Sequence, residues 1–177
     1  MLAAVPRQDG RREPAPRDRH PSGGRAGTDP ALDKLGALLI DADAIVHAGD
    51  ITDISVIGAL SAHAPVHAVL GNNDHGVRLP ERRVFDADGC EIAIVHDSGA
   101  SAGRSARLRR WFPTADVVVF GHSHMPSYET DISADGHVQH QVNPGSAIQR
   151  RRAPERTAAV VEIESGEVLA VRHVALP

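Results

Sequence analysis

From Pro30 onward, apolar runs alternate in length and period, and that alternation sets the expected order of elements. ALDKLGALLIDA, residues 31–42, reads as a helix, with Asp29 placed as its N-cap and Pro30 in the first helical position. AIVHAGD, residues 44–50, follows as a short buried strand. Asp53 is placed to cap a second helix, ISVIGALSAHA, and PVHAVLGN is another strand. Strand, helix and strand joined by short connections predict a parallel βαβ unit.

The pattern then changes to paired strands. In RRVFDADGCEIAIVHD two apolar runs flank Asp88–Gly89, a hairpin turn. SAGRSARLRRWF predicts a helix with a basic face, and DVVVFGHSH is the most strand-like run in the chain. YETDISADGHVQHQV turns at Asp135–Gly136 as a second hairpin. TAAVVEIE and EVLAVRHVAL, joined by Ser165–Gly166, supply the last two strands. There is no internal repeat. The pattern supports a single α/β domain over residues 29–177.

Residues 1–28 break this pattern. Residues 1–30 hold five prolines, four glycines and six arginines, a composition that predicts a disordered or extended segment. Pro14 and Pro16 lack amide donors, and Arg11, Arg12 and Arg17 would be costly to bury. Residues 1–17 are therefore expected to contribute no buried strand, and 1–28 form an atypical N-terminal segment, disordered or mis-called.

Composition narrows the class. The chain has 177 residues, a net charge of -4 and 41% apolar residues, so it can build a core but does not read as a general nucleic-acid binder. Cys90 is the single cysteine, which excludes an intramolecular disulfide and fits a reducing cytoplasm. No apolar run reaches the roughly 20 residues that span a bilayer. Eleven histidines stand out, and their placement carries the argument.

Four apolar runs end on polar residues that can bind metal. They end on Asp50, on Asn72–Asn73–Asp74, on His96, and on His122 with His124. In open α/β sheets, sites form outside the carboxyl ends of the strands, so these residues can converge on one rim. A carboxylate, an amide oxygen and several imidazoles without thiolate suit Mn²⁺, Fe, Zn²⁺ or Ni²⁺. Gly49, Gly71 and Gly121 each precede a candidate ligand and are expected to let the backbone turn tightly there. His122 and His124 alternate, so an extended backbone would point both to the same side. Taken singly, each residue has a plainer reading. Asp50 is a turn cap, Asn72 and Asn73 turn formers, His96 a core histidine, and Asp18 and His20 parts of a tail. The order and company of the set favour the metal reading.

HAGD, GNND, a strand-end His96 and GHSH occur here in the order and rough spacing of the calcineurin-like metallophosphoesterases. NPGS at 143–146 resembles a further signature of the small bacterial and archaeal phosphodiesterases of that superfamily. The resemblance implies an α/β fold of two mixed β-sheets packed face to face with flanking helices. It implies two divalent ions, Mn²⁺ foremost with Ni²⁺, Fe²⁺ or Zn²⁺ as alternatives. Asp50 would bridge them. Asn72, His96 and His122 would complete one site, and His124 with Asp18 and His20 the other. The implied activity is hydrolysis of phosphoric esters, a diester first, by a metal-bridging hydroxide. Asn73 stands where relatives carry a leaving-group histidine, and is the implied catalytic position. The implied partner is a small phosphoester substrate, with no membrane and no general nucleic acid. Association into a homo-oligomer is left open. The rival reading is a weak or inactive relative that serves as a protein-binding scaffold.

Overall fold

The computed structural model describes residues 2–5 and 30–177. Its elements run β1 (Leu2–Val5), α1 (Pro30–Ile40), β2 (Ala44–His47), α2 (Ser55–Ser61), β3 (Val66–Ala68), β4 (Arg82–Ala87), β5 (Cys90–Val95), α3 (Arg104–Trp111), β6 (Val117–Phe120), β7 (Ser127–Ile132), β8 (Val138–Asn143), β9 (Arg156–Glu164) and β10 (Glu167–Leu176). The strands form two mixed sheets of five, ordered β10-β9-β1-β2-β3 and β4-β5-β6-β8-β7.

Successive side chains of a strand point to opposite faces, and in the inner strands β2 and β6 both faces are covered. In β6, Val117 and Val119 meet the other sheet, while Val118 and Phe120 meet α3. In β2, Val46 faces the opposite sheet and Ile45 packs under α1 and α2 with Leu35, Leu39 and Leu60. The dry layer between the sheets is built from Val46, Val69, Ile92, Ile94, Val117, Val119, Val142, Val161 and Ile163. Each such side chain contributes about 1.5–3 kcal/mol on burial. The near absence of aromatics is met with branched aliphatics, which suit a flat inter-sheet layer. Cys90 is buried in the same layer, and burial above all pushes its thiol up to about 12, so it is chemically quiet.

The predicted elements recur with small shifts of boundary. β2 and β3 are parallel across α2, and Asp53 accepts a hydrogen bond from Ser55 N at 2.9 Å at the start of that helix. The turns Asp88–Gly89 and Ser165–Gly166 take positive φ at both positions, 56° and 84°, 52° and 83°, as tight hairpins require. The two tips also meet: Ser165 N donates to Asp88 Oδ2 at 2.8 Å and clasps one sheet to the other.

One expectation is overturned. Leu2–Val5 do form a strand, and it sits in the middle of its sheet between β9 and β2, with Ala3 and Val5 buried. The reasons given against a strand concern residues after Val5; the four residues before the first proline are uncharged and long enough to fill a slot of this length. The strand runs antiparallel to β2, pairing Leu2 with His47 and Val5 with Ala44. Its carboxyl end therefore points away from Asp50. Asp18 and His20, and the remainder of the segment 6–28, lie outside the described residues.

The central position of β1 has a measurable consequence. Ala3→Glu places an unpaired carboxylate between the two sheets, where Ala3 is 1% exposed, and is expected to cost roughly 3 kcal/mol or more. Urea unfolding of the variant checks this. A change below about 0.5 kcal/mol, typical of surface sites, would show that the slot is not filled by these residues.

Candidate metal centre

Asp50, Asn72, His96 and His122 leave the carboxyl ends of β2, β3, β5 and β6 and meet at one rim, within one knot of contacts. His96 Nε2 lies 2.8 Å from Asn72 Oδ1 and 3.5 Å from Asp50 Oδ1. His122 Nδ1 lies 3.0 Å from Asn72 Oδ1 and 3.3 Å from His96 Nε2. The two rings stand nearly perpendicular, at 86°. Metal bonds near 2.0–2.2 Å put neighbouring donors about 3.0–3.5 Å apart in octahedral or tetrahedral arrangement, so these spacings fit one ion. Counting only His, Cys, Asp and Glu, the described residues hold no cluster of three that could bind metal. The amide oxygen of Asn72 is what completes this one.

Protonation supports the fit. His96 Nδ1 donates to the carbonyl of Ala48 at 2.7 Å, which leaves a lone pair on Nε2 in the neutral ring. That lone pair faces the amide oxygen of Asn72. Two lone pairs at 2.8 Å repel unless a cation, a proton or a metal ion, shares them. His124 is prepared the same way. Its Nδ1 donates to the carbonyl of Gln149 at 2.8 Å, and its Nε2 is buried without a hydrogen-bond partner. Burial is the main influence that lowers the His124 pKa, so the ring stays neutral and able to ligate to lower pH than a free imidazole.

Asp50 is held as a carboxylate. Burial pushes its pKa up, but the hydrogen bonds from Asn73 and the charges of His96 and His124 outweigh burial and leave it below the ordinary value. Asn73 N donates to Asp50 Oδ1 at 3.1 Å and Asn73 Nδ2 to Oδ2 at 2.9 Å. The side chain of Asn73 thus orients Asp50.

The backbone here is unusual. Asp50, His122 and His124 have φ of 58°, 66° and 60°, a region that costs a non-glycine residue about 1–3 kcal/mol. The expected alternation of two extended histidines is therefore replaced by a pair of left-handed residues. Gly121 does not take positive φ, but the other two glycines are required. A Cβ on Gly49 would come within 2.6 Å of His96 Nδ1, and one on Gly71 within 2.1 Å of Asp50 N.

Three supports were not read as supports from sequence, Asp74 having been grouped there with the candidate ligands. Asp74, 6% exposed, accepts from Thr52 N at 2.8 Å and from Gly71 N at 2.7 Å, and so ties the loop of Asp50 to the loop of Asn72. Asn143 Nδ2 donates to the Gly121 carbonyl and to Ser123 Oγ, both at 3.1 Å, and steadies the loop of His122 and His124. Gln149 supplies the carbonyl under His124. The signals were present as the third residue of Asn72–Asn73–Asp74 and the first of NPGS, but a supporting role leaves no periodic trace.

Paired mixed sheets with an oxygen and imidazole rim at parallel strand ends define an α/β fold of the metallophosphoesterase type. A model of the calcineurin-like phosphoesterase superfamily domain matches residues 18–166, and the chain belongs to this superfamily. It is 33% identical over 90 residues to a probable metallophosphoesterase of Methanothermobacter thermautotrophicus, covering 49% of this chain and 52% of that one. A probable metallophosphoesterase of Methanocaldococcus jannaschii is 33% identical over 87 residues, 48% of this chain and 45% of the relative. The chain thus spans about half the length of the curated relatives it matches. Among solved structures, Vps29 of Entamoeba histolytica complexed with Zn²⁺ superposes with TM-score 0.64 at 21% identity, covering 99% of this chain and 98% of that one. A predicted phosphoesterase of Streptococcus pneumoniae gives 0.60 at 20% identity over 98% and 97%. At these identities the likeness shows the fold, and it bears out the two face-to-face mixed sheets with flanking helices.

Asp74→Asn tests the support of the rim. The amide must present a donor to one of two backbone N–H groups, so the loops of Asp50 and Asn72 separate. Affinity for added Mn²⁺ is expected to fall about 10–100-fold with an unchanged circular dichroism spectrum. Equal affinity would mean that the loops keep their geometry without this carboxylate.

Proposed function

We propose that this chain is a metal-dependent hydrolase of phosphoric esters, a phosphodiesterase, with its centre at Asp50, Asn72, His96, His122 and His124. The observation that carries the reading is the knot of donor atoms in which His96 has its free lone pair set by the Ala48 carbonyl. The donor set is mixed oxygen and nitrogen, which favours Mn²⁺ with Ni²⁺, Fe²⁺ or Zn²⁺ as alternatives. Asp50 would bridge two ions, Asn72, His96 and His122 would hold one, and His124 the other. Bound there, divalent ions would supply charge to polarise a phosphoryl group and to acidify water.

The chain's own residues do the rest. Burial above all keeps His124 neutral to lower pH than a free imidazole, and in both His96 and His124 the hydrogen bond from Nδ1 to a carbonyl selects Nε2 as the coordinating nitrogen. Asp50 stays ionised and oriented because Asn73 donates to both of its oxygens. Asn73 cannot deliver a proton as an imidazolium does. Its catalytic contribution is therefore to hold Asp50, and esters with good leaving groups are the preferred substrates.

The scaffold reading is favoured by the fold likeness to Vps29 and by the commitment of the Asn73 side chain to Asp50. Against it stand three strained residues and two preset tautomers, which a docking surface does not need. Among the described residues, no helix is long and apolar enough to cross a membrane. The proposed enzyme acts on a small phosphoester in a reducing cytoplasm, which its single, buried cysteine fits.

Mn²⁺ is expected to stimulate hydrolysis of bis-p-nitrophenyl phosphate, and Asp50→Asn to abolish it, since the amide neither balances the charge of two ions nor bridges them. Equal rates in the two proteins would sink the assignment.

Asp18 and His20 are the remaining candidates for the second ion, and the family match opens at Asp18. The carboxyl end of β1 lies beside Ala44, so that strand does not deliver them to the rim directly. One tightly held metal equivalent per chain is expected after dialysis, with the second weakly bound. Two retained equivalents would mean that Asp18 and His20 do complete the centre.

A further inference from the structure

Among the described residues each sheet ends on two edge strands, and an edge offers unpaired N–H and C=O groups to any strand that aligns with it. Three of these edges are guarded. β3 has only three residues, β4 begins with Arg82 and Arg83, and β10 carries a bulge between Val168 and Ala170. The fourth, β7, is six residues long and holds no basic residue and no proline. It pairs with β8 in unbroken register, from Ser127 with Asn143 to Ile132 with Val138.

The partner strand shows how β7 faces. Tyr128 pairs with Val142, which is fully buried between the sheets, so Tyr128, Thr130 and Ile132 share the inter-sheet face. Here that face runs out from under the other sheet. Tyr128 is 42% exposed, Ile132 68%, and Val138, opposite Ile132, 37%. The direction of the backbone groups follows from the turn. Ser133 N donates to the His137 carbonyl at 3.0 Å. Hydrogen-bonded pairs recur at every second residue, so Asp131, Glu129 and Ser127 bond to β8. Tyr128, Thr130 and Ile132 turn their N–H and C=O groups outward. The same three residues thus present exposed side chains and an outward backbone.

We propose that β7 is the docking edge for a second copy of this chain, paired antiparallel with its own counterpart about a two-fold axis at Thr130. The strand is self-complementary in that register. Tyr128 meets Ile132 of the second copy, Thr130 meets Thr130, and Ile132 meets Tyr128. Aromatic with β-branched and threonine with threonine are stabilising cross-strand pairs. An unrelated strand could add to this edge through its backbone alone; the match of all three side-chain pairs singles out the chain's own β7. The outward backbone groups match as hydrogen-bonded pairs, and the two sheets of five become one of ten. Charge permits the register. On the other face Glu129 meets Asp131, which is already neutralised by Arg109, whose Nε donates to Asp131 Oδ2 at 2.8 Å. Tyr128 is set in advance, because its hydroxyl lies 2.8 Å from His140 Nδ1 and the two rings are parallel within 3°. Pairing therefore costs little side-chain freedom. The contact is closed and uses one patch on both copies, so it stops at a dimer. Antiparallel strands place the two proposed metal centres at opposite ends.

The experiment uses the full chain. Sedimentation equilibrium over the micromolar range is expected to give twice the 18.8 kDa chain mass. Thr130→Lys sets two ammonium groups face to face on the axis, at a position exposed in the single chain. It is expected to raise the dimer dissociation constant about 10-fold or more, with an unchanged circular dichroism spectrum. Thr130→Pro removes the outward N–H without taking a bond from β8, and is expected to do the same; if that variant loses its fold, Thr130→Lys decides. Thr130→Cys tests the register. Cα atoms of a hydrogen-bonded pair stand about 5.5 Å apart, within disulfide range, and Cys90 is buried. Mild oxidation is expected to link this variant into a covalent dimer that reductant reverses. A monomeric parent would overturn the proposal. A dimer that survives Thr130→Lys, or one whose Thr130→Cys variant stays unlinked, would overturn it as well, by placing the contact elsewhere.

Discussion

The hydrogen bond from His96 Nδ1 to the Ala48 carbonyl joins the two halves of this protein at the point where chemistry is possible. Ala48 follows β2 in one sheet and His96 follows β5 in the other. The bond therefore registers the two sheets against each other at their rim, and in the same stroke it chooses which imidazole nitrogen is free. Asp50 and Asn72 come from the first sheet, His96 and His122 from the second. A slip between the layers would separate the donors in pairs. The stiff aliphatic layer beneath them, with Val46, Ile94 and Val119 fully or almost fully buried, resists such a slip.

Close approach is the second constraint. Gly49 lies against His96 and Gly71 against Asp50, so the two loops of the first sheet fit together only without side chains at those positions. The strain stored at Asp50, His122 and His124 is held in place by neighbours: Asn73 on Asp50, Asn143 on the Gly121–Ser123 backbone, and Gln149 on His124. Asp74 ties the loops together from below. Asp50, His96 and His124 are thus each held from behind by a partner that takes no place in the donor set.

Much of this was legible in the sequence for a simple reason. A polar residue that terminates an apolar run is visible without coordinates, and Asp50, Asn72, His96 and His122 each do so. The paired turns at Asp88–Gly89 and Ser165–Gly166 were equally plain, because only a few residue types tolerate two positive φ angles. Leu2–Val5 were missed because four residues carry too little pattern to stand out against the prolines and arginines that follow. The antiparallel direction of that strand is a tertiary matter with no local signal. The left-handed backbone of His122 and His124 also went unseen, since histidine has no strong preference for it and the alternating spelling GHSH suggests an extended chain. Asp74 and Asn143 were quoted in their motifs, but nothing in a linear string distinguishes a ligand from the residue that braces it.

The direction of β1 has a practical side. Leu2 pairs with His47, and β1 runs parallel to β9, whose first residue Arg156 pairs with Leu176. Both Leu2 and Leu176 therefore open on the same rim as the proposed metal centre, Leu2 beside β2 and Leu176 three strand spacings away, about 14 Å. A polyhistidine purification handle fused ahead of Leu2 would hang a chain of imidazoles over a centre that is itself built from imidazoles. Ions counted in such a preparation would belong in part to the handle. The far end of the sheets, where the Asp88–Gly89 and Ser165–Gly166 tips clasp, is the quieter place for a label or a surface attachment.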